Sequence, residues 1–263
     1  MVKVELGPKY FALPESWPDV IASGQYLAVV TILAFIAGRD RANRLSACEQ
    51  IVKLYGGKAL SAAPIPESEV IPSAMRIIEH CYPVLDFIFD IKDKDGNLLL
   101  LVDNPFPELV HEGVKYKGKG RYMSPMTGAE MEECSWAYAE YSKGGDIAML
   151  DKVIEQLYTP EVPLSKGGRG ISLATLPPIY KMGIKFWYES CETWWRLMHL
   201  KLYEEKSETD KAVDSLSISR MIRGIAGPKR GTVEHVRAMK RDEIYFELME
   251  LDREYEEAVK ASK

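Results

Sequence analysis

Between Phe11 and Arg41 the apolar positions recur at three- and four-residue steps: Tyr26, Val29 or Val30, Leu33, and Ile36 or Ala37. That period predicts an amphipathic helix, with Ser23 placed to cap its start and Gly38 to end it. The uncharged run from Val20 to Gly38 has the length of a membrane span. Ser23, Gly24, Gln25 and Thr31 dilute it, however, and Glu15, Asp19 and the Pro14–Pro18 turn stand before it. Neither a span nor a secretory signal is expected; one buried helix is.

The pattern continues helical. In "SACEQIVKLYGG", Ser46 precedes Glu49 by the spacing of a capping box, Ile51, Leu54 and Tyr55 face inward, and Gly56-Gly57 stop the helix. These glycines lack the GxxxxGK[ST] pattern of a phosphate loop. The proline-spaced "AAPIPESEVIPSAM" reads as an extended segment leading to a helix over 72–82, with Pro72 in its first turn. Two apolar runs around Lys-Asp-Gly-Asn then predict a hairpin of Phe87–Ile91 and Leu98–Val102, followed by a smaller one of Glu108–Val110 and Val114–Lys117. The aspartates at 93 and 95 belong to turn chemistry. A calcium loop would need ligands at Ile91 and Val102, whose side chains cannot serve.

Thr127 and Glu130 repeat the capping-box spacing, and Met131, Cys134, Tyr138 and Tyr141 follow on one face. Gly144-Gly145 interrupts; Ile147, Leu150, Ile154 and Leu157 resume, and Pro160 closes a helical hairpin. The Pro/Gly-rich loop 159–172 exceeds a simple connector. A helix over 176–203 follows, with Ile179, Met182, Phe186, Cys191, Trp194 and Met198 as its apolar stripe. Trp187 and Trp195 fall partly off that stripe, which suits contact between helices or subunits. A turn at Gly227-Pro228 and Gly231 leads to one terminal helix, with Ile244, Leu248, Leu251, Tyr255 and Val259 inward.

The expected fold class is α+β, mainly helical with small antiparallel hairpins between helical regions. Residues 1–206 form the core domain, with hairpins inserted at about 85–120, and 207–263 form a C-terminal helical extension.

Composition narrows the function. Apolar residues at 46% and charged residues at 28% belong to a folded chain, and a net charge of -5 argues against nucleic acid as the main partner. The four cysteines, at 48, 81, 134 and 191, contain no CxxC, so neither a zinc site nor a redox pair is expected. The histidines at 80, 111, 199 and 235 show no ligand or triad spacing, and HExxH, GxSxG and dinucleotide fingerprints are absent. The expectation is a noncatalytic protein with no cofactor and no metal.

Three stretches carry a resemblance. They are "LPESWPDVIASGQYLAVVTIL" at 13–33, "NPFPELVHEGVKYKGKG" at 104–120, and "MTGAEMEECSWAYAEYSKGGDIAMLDKVIEQLYTPE" at 126–161. They resemble a family encoded in tail and neck gene modules of Bacteroidetes-infecting phages, crAss-like and related, and of prophages. The matching residues are Leu13, Pro14 and Trp17; Asn104, Pro105 and Pro107; and Leu150, Asp151, Ile154, Leu157, Tyr158 and Pro160. The resemblance implies a virion structural protein of the neck or tail, synthesised in the host cytoplasm. It would be a ring or connector component, working as a homo-oligomer beside other neck or tail proteins. The alternative is a tail-assembly chaperone absent from the mature particle. No membrane span and no sequence-specific nucleic acid are expected. Lys166, Arg169, Trp187 and Trp195 are the candidates for protein contact.

Overall fold

The chain divides between Leu101 and Val102 into two units, Met1–Leu101 and Val102–Lys263. The computed structural model describes residues 1–6, 9–35, 41–56, 81–161, 173–199 and 216–261. The class is the one expected, mainly helical α+β with small antiparallel sheets. The division differs from the expected 206/207 boundary. Helices beyond 216 pack on those between 128 and 144 and so belong to the body of the second unit.

The first unit opens with a hairpin the apolar pattern did not suggest, β1 (Val2–Leu6) against β2 (Lys9–Leu13). Leu13 is buried at the end of β2. Ser16 then caps α1 (Trp17–Ala22) by accepting from the Asp19 amide, with proline in the first turn. Ser23 does not start the next helix as expected. Its hydroxyl donates to the Val20 carbonyl at 2.8 Å and closes α1. Gly24, at φ +72°, turns the chain into α2 (Tyr26–Phe35). This left-handed step is why one apolar period yields two helices. The expected stop at Gly38 lies outside the described residues. Helix α3 (Arg41–Gly56) begins before Ser46, so the capping box predicted there is not formed, and Glu49 instead pairs with Lys53 at 2.5 Å. Ala47, Cys48, Ile51 and Val52 are its buried side, while Leu54 and Tyr55 are only half-buried. The extended segment and most of the helix expected over 72–82 also lie outside the described residues.

The predicted Phe87–Ile91 strand is a short helix, α4 (Asp86–Phe89). Phe87 and Ile88 are both buried, and Phe87 meets Trp17 edge-on at 5.6 Å. Neighbouring residues that must both face inward suit a helical turn; the two-residue alternation of a strand would send one outward. The turn itself survives. Asp93 accepts from the amides of Asp95 and Asn97, and a single bridge, Lys92 with Leu98, replaces the expected strand pairing.

In the second unit, β3 (Glu108–His111), β4 (Val114–Gly118) and β5 (Tyr158–Pro160) form a three-stranded antiparallel sheet. Leu109 and Tyr116 pair across its buried side. Helix α5 (Gly128–Gly144) starts with the predicted capping box: the Thr127 hydroxyl accepts from the Glu130 amide, and Glu130 accepts from the Thr127 amide at 2.7 Å. Gly145, at φ +69°, ends it, and α6 (Ile147–Leu157) folds back against it, capped by Asp146. Leu150, Val153, Ile154 and Leu157 are buried, whereas the predicted inward Ile147 is half exposed. Helix α7 (Pro178–Met198) also packs against α6. The unit is completed by α8 (Leu216–Ile225), α9 (Val233–Ala238) and α10 (Arg241–Ala261).

The one expected terminal helix is therefore two. Its break at Met239-Lys240 is held by an antiparallel crossing, where the Gly128 amide donates to Met239 O at 3.0 Å and the Arg241 amide to Met126 O at 2.7 Å. Backbone groups spent on that crossing are unavailable to a continuous helix.

Candidate functional site

Two assemblies in the second unit gather the polar and aromatic residues that its sequence scatters. The first joins two of the resembling segments. Asn104 donates through Nδ2 to Lys119 O and accepts at Oδ1 from the Phe106 amide, both at 2.8 Å. The Tyr158 hydroxyl donates to the same Oδ1 at 3.1 Å. Gly118 sits beneath them, where an added Cβ would fall 2.4 Å from Asn104 Nδ2 and 2.9 Å from Tyr158. Burial pushes the Tyr158 phenol up, so it remains a donor. One turn into α6, Asp151 meets Lys181 at 2.6 Å; both are buried, and Lys181 also donates to Ala174 O at 2.7 Å. The pair fastens α6 to α7 with its charges compensated.

The second assembly lies between α7 and α10. Arg241, only 1% exposed, donates to Glu192 Oε1 at 2.8 Å. Its guanidinium lies 4.8 Å from the ring centre of Trp195 and 5.8 Å from that of Tyr245. Burial opposes its charge, but Glu192 and then Tyr245 outweigh that and hold it charged. Trp195, His199 and Tyr245 stack on one another at 4.4–5.5 Å. Burial first, then the Arg241 charge, lowers the His199 pKa below its ordinary value. The Trp195 indole donates to Tyr122 O at 2.8 Å, and the Trp187 indole to Val102 O at 3.2 Å. Cys134 and Cys191 are buried, which pushes their thiols well up and keeps them protonated and unreactive.

These contacts rearrange the expected face of α7. Of the predicted stripe only Cys191 is buried, and Met198 is 54% exposed. The buried side runs through Lys181, Ile184, Trp187, Tyr188, Cys191 and Trp195. A reading by apolar identity rotates the helix because the inward side begins with a lysine, neutralised by Asp151. Trp187 is fully buried and Trp195 nearly so, and both spend their area between elements of this unit. Among the four contact candidates these two thus present little surface to a neighbour, and Lys166 and Arg169 lie outside the described residues. Glu192 and Arg241 were missed. The available signal was an arginine in step with Ile244, Tyr245 and Leu248 on an otherwise apolar side.

Among the described residues no group of histidines, cysteines and carboxylates is placed to hold a metal ion, and no helix is long and apolar enough to cross a membrane. The chemistry of both assemblies is that of fastening: charges are paired, thiols protonated and aromatic donors bound to carbonyls. Protein-family models, curated proteins and solved structures were compared with the chain, and none matches.

Proposed function

We propose that this chain is a noncatalytic virion protein of a phage neck or tail, working through protein–protein contacts as one of several copies in a ring or connector. The observation that supports the reading is the junction of motifs. Asn104 of the Asn-Pro-x-Pro segment accepts a hydrogen bond from Tyr158 of the Leu-Asp-x-x-Ile-x-x-Leu-Tyr-x-Pro segment, and Asp151 of that segment pairs with Lys181 on α7. Residues that carry the family likeness in two separate stretches are thus joined through Asn104 and Tyr158. Their role is packing, in keeping with a scaffold that presents surfaces to neighbours.

The test is the protein content of purified mature particles of the phage or induced prophage that encodes the chain. Mass spectrometry with copy numbers is expected to find it at a fixed count compatible with neck or tail symmetry. Its absence from particles, together with its recovery on unassembled tail protein, would replace this reading with the assembly chaperone. The acidic balance of the chain also predicts no tight binding to duplex DNA at physiological salt, and an electrophoretic shift at nanomolar protein would contradict that.

A further inference from the structure

The outward side of α10 carries an apolar pair that the fold leaves open. Phe246 is 62% exposed and Met249 54% exposed. Their spacing of three sets them beside each other on one side of the helix, away from the buried Ile244 and Arg241. The same side of the helix is acidic along its length. Asp242, Glu243, Glu250, Glu256 and Glu257 fall on the same half of the helix, with Arg253 and Lys260 as its bases. Arg253 pairs with Glu250 at 2.6 Å and Glu257 at 4.0 Å, and Lys260 with Glu256 at 3.8 Å, so five carboxylates against two bases leave this side a net charge of -3.

We propose that this side of α10 docks an amphipathic helical segment of another protein, one whose apolar seam is flanked by lysine or arginine. The inference rests on reading the chain as a protein-contact component and names the chemistry of one contact. The charge selects the occupant. A second copy of α10 would set its own carboxylates against these, a like-charge arrangement that opposes pairing. An anionic lipid surface is repelled in the same way. A Lys- or Arg-flanked seam instead gains at the rim, and its long aliphatic stems extend apolar cover over Phe246 and Met249.

The experiment titrates the full chain with three synthetic helical peptides of equal length. One has a leucine seam flanked by lysines, one has the same composition with its leucines scattered around the helix, and one has the seam flanked by glutamates. The Lys-flanked seam is expected to bind at least tenfold more tightly than either control, with affinity falling as salt rises. The exposed double substitution Phe246→Ser with Met249→Ser is expected to weaken it about tenfold while circular dichroism stays unchanged. Asp242→Asn with Glu243→Gln and Glu250→Gln is expected to flatten its salt dependence. Equal binding of the scattered peptide, or indifference to the Phe246/Met249 substitution, overturns the proposal. So does a concentration-dependent dimer that this substitution abolishes, since the occupant is then a second copy. Particle composition is read separately. A chain present in particles but indifferent to the seam sinks only the docking face, and seam-dependent binding by a chain absent from particles sinks only the virion role.

Discussion

Arg241 shows how one side chain organises its surroundings. Its charge is enclosed by Glu192, Trp195 and Tyr245, and Glu192 is itself only partly covered, with its side chain 32% exposed. Glu192→Gln should therefore cost about 1–3 kcal/mol in denaturant unfolding, below the full penalty of an isolated buried charge because water reaches the vacated side. Adding Arg241→Met should recover part of that loss, and a double-mutant cycle measures the coupling. His199 gives a pH signature. Its folded pKa lies below the ordinary 6.5, so the unfolded chain takes up the proton first. Stability contributed by the neutral ring is complete above about pH 6.5 and declines as pH falls through that value toward the folded pKa. In thermal melts His199→Gln should remove this component of the acid sensitivity; an identical pH profile would contradict the assignment. Gly128 is a steric counterpart, since a Cβ there would stand 2.8 Å from Ile244 and 3.0 Å from Val236 O. Gly128→Ala should destabilise by about 1–3 kcal/mol because the backbone oxygen cannot move aside cheaply.

At the scale of elements, legibility in the sequence followed the locality of the cause. The Thr127–Glu130 capping box, the Gly145 stop and the β3–β4 hairpin depend on neighbours within a few positions, and all three were readable. Gly145→Ala accordingly should cost about 1 kcal/mol, the strain of an alanine held left-handed, measured by the shift in unfolding midpoint. The burial side of α7 depended on Asp151, thirty positions from Lys181, and spacing within α7 could not reveal it. The same holds for α4, whose helical turn is set by the need of Phe87 to reach Trp17. The break between α9 and α10 answers to Met126 and Gly128, far upstream. Of the candidate site, the tryptophans were legible as important aromatics, while the charges that position them were not.

At the scale of the molecule, the division at Leu101/Val102 predicts two separately responding cores. Ile51→Ala, in the first unit, should lose about 2–5 kcal/mol of local stability, and amide exchange should accelerate there while the Trp187 region keeps its protection. Uniform acceleration across both units would show one cooperative body instead. The crossing of 126–128 with 239–241 has a further consequence, in time. It ties positions roughly 110 residues apart, and closing so long a loop exacts its entropy before any reward arrives. Synthesis delivers α5, α6 and α7 well ahead of α10, so the Trp195 stack lacks Tyr245 until the chain is nearly complete. The face that bears Phe246 and Met249 comes into register only at that point. A neighbour that recognises it would then be recruited by finished molecules in preference to nascent ones, and the order of assembly would be written into the order of folding.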